Sequence, residues 1–190
     1  MLKPVLAAAA VLLPGSAAVP DATAQTPISV ARFKGIELRG GGELVVRHGA
    51  QQRVTLLSGD RAQAGFDVDR QGTLVVRPCR TTCRNQRLRV EIVTPDLEAV
   101  AIRGGGSIRA EGGFPAGDDV AVAIHGGGTI DTRAVPRRTV AASIVGGGLI
   151  RVAARQTLAA SIMGGGAIRY TGDPRTTVSI NGGGAVTREQ

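Results

Sequence analysis

Asp118, Asp119, Asp131 and His125 are the residues whose types could perform acid–base chemistry. Carboxylates and an imidazole in adjacent segments of a repetitive chain are the raw material of polysaccharide cleavage. Their local contexts point elsewhere. Asp118-Asp119 follows Pro115-Ala116-Gly117 and reads as a turn, and His125 occupies a position that Arg103, Val145 and Met163 fill in other segments. His48 falls in a turn, His48-Gly49-Ala50, between two strand-like runs. The two cysteines, Cys79 and Cys83, are surrounded only by Arg and Thr, so no zinc ligand set forms around them. Their spacing is not that of a C-x-x-C redox motif, and a local disulfide closing a tight loop is expected in an oxidising compartment. No nucleophile–base set, metal or cofactor is expected.

The compartment follows from the first residues. Lys3, the apolar run Val5 to Leu13, and Pro14-Gly15 followed by small residues have the form of a secretory signal. Cleavage fits after Ser16-Ala17-Ala18 or after Ala22-Thr23-Ala24. The second is preferred, giving a signal peptide over residues 1–24 and a mature start at Gln25. The apolar run is nine residues long, whereas a membrane-spanning helix needs about 20. Nothing later in the chain is long enough to span. A periplasmic or secreted protein is expected.

The formal net charge is +8, carried by 23 Lys and Arg against 15 Asp and Glu. Nearly all the cations are Arg, since Lys3 and Lys34 are the only lysines. This charge favours acidic partners such as anionic glycans. Nucleic acid is not expected, because the only aromatic residues are Phe33, Phe66, Phe114 and Tyr170, too few for base stacking. The same scarcity requires a core of thin aliphatic side chains.

Repetition organises the chain. Six glycine triplets occur: Gly40-Gly41-Gly42, Gly104-Gly105-Gly106, Gly126-Gly127-Gly128, Gly146-Gly147-Gly148, Gly164-Gly165-Gly166 and Gly182-Gly183-Gly184. One long interval separates the first two, and from Gly104 onward the triplets recur at short and nearly equal intervals. Two residues before each stands Leu38, Ile102, Ile124, Ile144, Ile162 or Ile180. Two residues after each stands Leu44, Ile108, Ile130, Ile150, Ile168 or Val186. Period-two alternation on both sides, as in Val120, Val122 and Ile124, marks strands with one buried face. No amphipathic helix is visible beyond the signal.

An 18–22-residue repeat with short strands and one glycine group predicts an all-β, single-domain parallel β-solenoid over residues 33–187. A short segment, 25–32, precedes it and a tail, 188–190, follows. The outer two glycines of each triplet share parity with the flanking aliphatics, so they should serve sharp bends or close approach. A phosphate-cradling role is not expected, because no triplet is followed by Lys-Ser/Thr or by a helix. The long interval between Gly42 and Gly104 is expected to hold degenerate coils, with the cysteine loop as an insertion. Pro136 and Pro174 should lie in connections.

Register makes two further forecasts. Arg109, Asp131, Arg151 and Arg169 should stack, with Asp131 pairing the arginines beside it. Val145, Leu149, Met163 and Ala167 should adjoin in an apolar contact patch for self-association or a partner.

Phe33-Lys34-Gly35-Ile36-Glu37-Leu38, Thr94-Pro95-Asp96, the serial Ile-x-Gly-Gly-Gly-x-Ile units, Tyr170-Thr171-Gly172-Asp173-Pro174 and Ile180-Asn181-Gly182-Gly183-Gly184 carry a resemblance. The chain resembles the putative auto-transporter adhesin, head GIN domain family over about residues 30 to 187. The resemblance implies an exported bacterial β-solenoid, with no catalytic residues to carry over. The expected function is therefore a non-catalytic, adhesin-like cell-envelope module that binds an envelope protein or an acidic glycan, or associates with itself. A polysaccharide lyase or hydrolase on the same scaffold is the alternative.

Overall fold

The computed structural model describes residues 25–79 and 88–190. The proposed signal, residues 1–24, and Cys83 lie outside the described residues.

The described chain is all-β, with no α-helix, and its fifteen strands join one mixed sheet. They are β1 Thr26–Ile28, β2 Gly35–Gly40, β3 Glu43–His48, β4 Arg53–Ser58, β5 Gly65–Val68, β6 Thr73–Arg77, β7 Arg89–Thr94 and β8 Ala99–Gly104. The remainder are β9 Ser107–Glu111, β10 Gly117–Gly126, β11 Thr129–Gly146, β12 Leu149–Gly164, β13 Ala167–Thr171, β14 Arg175–Asn181 and β15 Ala185–Arg188.

Strands entering the triplets form one parallel ladder. In it β8 pairs with β10, β10 with the second half of β11, that half with the second half of β12, and β12 with β14. Strands leaving the triplets form another, running β9, β11, β12, β13 and β15 through the first halves of the long strands. Ile102, Ile124, Ile144, Ile162 and Ile180 stand in register along the first ladder. Ile108, Ile130, Ile150, Ile168 and Val186 do so along the second. All but Ile180 and Val186 are buried, and both ladders line a single aliphatic core.

The N-terminal third departs from the expected run of degenerate coils. Strands β2 and β3 pair directly with β8 and β9, across the long interval, so the first and second triplets are immediate neighbours. The intervening chain packs on the outer side, where β6 pairs parallel with β2 and β7 parallel with β3. Antiparallel strands finish that end: β5 on β6, β4 on β7 and β1 on β4. The sheet is thus mixed rather than uniformly parallel. β3 and β4 do not pair across the turn at Gly49, and His48 closes β3 with its ring edge-on to Phe114 at 5.4 Å. Pro136 sits inside β11, not in a loop. The register shifts between Thr132 and Thr139, and such a bulge spares a ladder donor.

The triplets owe their composition to stacking between neighbouring segments. The middle glycine N–H donates to the first-glycine carbonyl of the preceding triplet, as from Gly127 to Gly104 and from Gly147 to Gly126, both at 2.9 Å. The residue after each triplet donates to the preceding third-glycine carbonyl, as from Leu149 to Gly128 at 2.9 Å. First glycines take positive φ, 114° at Gly126, and a Cβ there would lie 2.6 Å from the Gly104 oxygen. A Cβ on Gly148 would lie 2.7 Å from the Ile124 side chain, whereas Gly41, Gly105, Gly127, Gly147, Gly165 and Gly183 face open space. The outer two glycines are therefore steric requirements. The middle one is not.

Candidate interaction surface

The outer face of the first ladder is smooth because its outward columns hold small residues. Ala99, Ala121, Ala141 and Ala159 form one row, and Ala101, Ala123, Ser143 and Ser161 the next. Together they floor an open trough of about 660 Å³. One end of the trough is ionic. Glu37, 6% exposed, receives two hydrogen bonds from Arg39, each 3.0 Å, and an ion pair from Arg103 at 2.5 Å. Burial is the largest influence on the Glu37 carboxyl and pushes its pKa up. The Arg39 hydrogen bonds and the attraction of both guanidinia outweigh it, so the group titrates below its ordinary 4.5. A depressed carboxyl stabilises the fold fully above its unfolded value and loses that contribution as pH falls through the folded one. Acid titration of stability is expected to show a shallower fall below about pH 4.5 in Glu37→Gln than in the native chain, measured by denaturant melts at several pH values.

Along the rim of the trough, Val145 and Met163 are exposed side by side. Leu149 and Ala167 adjoin each other across the triplet corner and are half-buried.

A second recess, about 580 Å³, collects Asp96, Glu98, Asp118 and Asp119 beside Arg137. Nothing in its sequence context marks Arg137, yet it is among the largest fully buried side chains, 2% exposed. Its Nη1 donates to the Pro115 carbonyl at 3.1 Å and its Nη2 to the Leu97 carbonyl at 3.2 Å, and it pairs with the Asp96 carboxylate. Asp96 also accepts the Leu97 N–H at 2.8 Å, and Thr94 Oγ1 donates to the Asp96 carbonyl at 2.8 Å. Gln52 then links Thr94 to both backbone groups of Phe33. Thr94-Pro95-Asp96 is thus the centre of a clamp between the N-terminal third and β11. Gly117 completes it, since a Cβ there would meet the guanidinium carbon at 2.7 Å. Arg137→Met is expected to cost about 2–3 kcal/mol, because two carbonyls lose their donors, measured by urea denaturation.

Of the acid–base candidates, Asp118 and Asp119 share this recess, and His125 and Asp131 do not join them. Asp119 and His125 are six residues apart on β10, about 20 Å at strand rise. Asp118 pairs with Arg138 at 3.3 Å. Asp131 lies on the other ladder, in register with Arg109 and Arg151 as forecast, but its bonds go to Arg133 on its own strand, the shortest 2.6 Å. Burial, the largest influence, pushes the Asp131 carboxyl up, but the Arg133 hydrogen bonds prevail and hold it below 3.8. Glu189 supplies the other counter-charge, lying 3.3–3.4 Å from Arg133, Arg151 and Arg169. Among the described residues no group of His, Cys, Asp and Glu is placed to hold a metal ion, and no helix is long and apolar enough to cross a membrane.

Comparison with known proteins gives a fold and a family. A crystal structure of a putative adhesin from Bacteroides fragilis is similar at a TM-score of 0.53 and 17% identity, over 87% of this chain and 96% of that one. A putative adhesin from Parabacteroides merdae aligns at a TM-score of 0.40 and 16% identity, over 88% and 96%. A putative cell adhesion protein from Clostridium sporogenes aligns at 0.40 and 10%, over 87% and 99%. No curated protein matches the chain. The family model described as "Putative auto-transporter adhesin, head GIN domain" matches residues 32–118 and 116–174, and the chain belongs to that family.

Proposed function

We propose that the protein is an exported, non-catalytic, adhesin-like module that presents its outer ladder face to a cell-envelope protein or an acidic glycan. Family membership carries this reading. The smooth trough supports it, as does the separation of His125 and Asp131 from Asp118 and Asp119, whose recess-mates include Arg137, paired with Asp96, while Asp118 is paired with Arg138. The apolar rim at Val145, Leu149, Met163 and Ala167 is the proposed contact patch beside the trough. Export after residue 24 and a Cys79–Cys83 disulfide belong to the same reading, and non-reducing peptide mapping of the secreted protein tests both.

The parallel ladders are proposed to wind as a solenoid. The support is that each ladder pairs a residue with its counterpart one triplet away, Ile124 with Ile102, Ile144 with Ile124, Ile162 with Ile144 and Ile180 with Ile162. Deleting residues 149–166, one full repeat, is expected to leave a cooperatively folding β protein, and deleting 149–157 is not. Circular dichroism melts of the two variants decide it.

Function is tested by applying residues 25–190 to a glycan array and to envelope extracts. Retention of a defined surface component, with no polysaccharide cleaved, is the expected result. Cleavage that disappears in Asp119→Ala or His125→Ala overturns the reading in favour of an enzyme.

A further inference from the structure

The two ends of the ladders are finished differently. At the N-terminal end the outermost parallel strands are covered by antiparallel ones, β4 and β1 on one ladder and β5 on the other. At the opposite end β14 pairs only with β12, and β15 only with β13. Both edges there are unpaired among the described residues. The core columns open at the same place: Val178 stands next to Ala160 and Ile180 next to Ile162, which are buried, yet they are 46% and 42% exposed. Every residue of β14 is exposed.

Edge strands are ordinarily protected by Lys, Pro, a bulge or an inward charge. Between Arg175 and Asn181 the sequence is Thr176-Thr177-Val178-Ser179-Ile180, with none of these and with strong β formers at four of the five positions. The register of β14 on β12 is unbroken along the whole strand. The edge is a template for a further strand.

We infer that this end is a tail-to-tail interface in which a second copy of the chain continues both ladders across a two-fold axis. Two edges have to be covered together, on either side of one core, and a single extended peptide reaches only one. A second copy brings two edges with the required separation. A two-fold axis across the ladders sets β14 antiparallel to the copy's β14 and β15 antiparallel to the copy's β15. Pairing centred on Val178 then places Thr176 against Ile180 and Arg175 against Asn181, with no like charges opposed. Head-to-tail growth is disfavoured, because the edges at the other end are the short strands β1 and β5, of three and four residues, which carry Pro27 and Asp67. The assembly closes at two copies instead of extending into a fibre. This edge closes the far end of the trough, which Thr177 and Ser179 also line, and adjoins the Val145–Met163 rim where Met163 stands next to Asn181.

Light scattering on residues 25–190 over a wide concentration range tests the inference. The expected mass is that of a dimer, with a melting temperature that rises with concentration. Val178→Lys/Ile180→Lys is expected to give a monomer that keeps the native β spectrum, because the substituted positions are exposed in the single chain. Val145→Glu/Met163→Glu is expected to keep the dimer. A native chain that is monomeric at every concentration overturns the proposal. So does a dimer that survives the Lys pair, or one that the Glu pair dissolves. If the Lys pair unfolds the chain, the single Val178→Lys variant replaces it, with the same required outcome.

Discussion

Replacing Ile144 by Asp is expected to abolish cooperative folding, seen as loss of both the β spectrum and the thermal transition. Ile144 is fully buried and stands in register between Ile124 and Ile162 in the core column of the first ladder. Removing a buried Ile side chain costs about 2–5 kcal/mol, and an unpaired carboxylate in its place adds several more. Total stability of a domain is about 5–15 kcal/mol, so one such change consumes most of it. The column offers the carboxylate no polar partner, because its neighbours are aliphatic on both sides. Ile144→Val, which keeps the shape and loses one methyl group, is expected to cost only about 1 kcal/mol. A folded, melting Ile144→Asp protein means that the column is not the core of the molecule.

Gly126→Ala is expected to destabilise by about 3 kcal/mol or more, and its neighbour Gly127→Ala by no more than about 0.5 kcal/mol, both from urea midpoints. At Gly126 the backbone has φ of 114°, which costs an L side chain, and the new Cβ would overlap the Gly104 carbonyl at 2.6 Å. That carbonyl cannot retreat, since it accepts the Gly127 N–H. Gly127 lacks the positive φ and its Cβ points into open space. Alanine there also narrows the unfolded ensemble, which can even stabilise. Equal effects at the two positions contradict the stacking of the corners.

These contrasts show what was legible in the sequence. Columns flanking the triplets were readable because identical residues at equal spacing can share a core only by stacking. The ladder offsets follow from the same spacing. The parity of the triplets correctly separated the outer glycines from the middle one. The place of residues 53–94 was not readable, because spacing measures distance along the chain and not which side of a coil the chain returns to. Asp131 shows a second limit. Register identified its neighbours, but its rotamer was decided by Arg133 two residues along the same strand, a closer and better oriented partner than Arg109 or Arg151. Arg137 shows a third: in Val135-Pro136-Arg137-Arg138 it looks like connecting sequence, and only the carbonyls of Pro115 and Leu97, distant in the chain, make it an interior residue.

The return of β8 to β2 also orders assembly in time. Before the first triplet acquires its triplet neighbour, the chain must close the long loop from Gly40 to Gly104, whereas each later repeat closes over a much shorter one. Loop entropy alone makes the first closure about 1 kcal/mol dearer, and β6 and β7 must dock on the far side of β2 and β3 as well. Residues 35–111 are therefore expected to form the slow nucleus, with the C-terminal repeats adding to it one after another in short steps. A chain crossing a membrane N-terminus first would emerge with its difficult portion already free to fold. The last strands to arrive are β14 and β15, so truncations from the C-terminus should shorten the ladders without slowing the step that limits their formation.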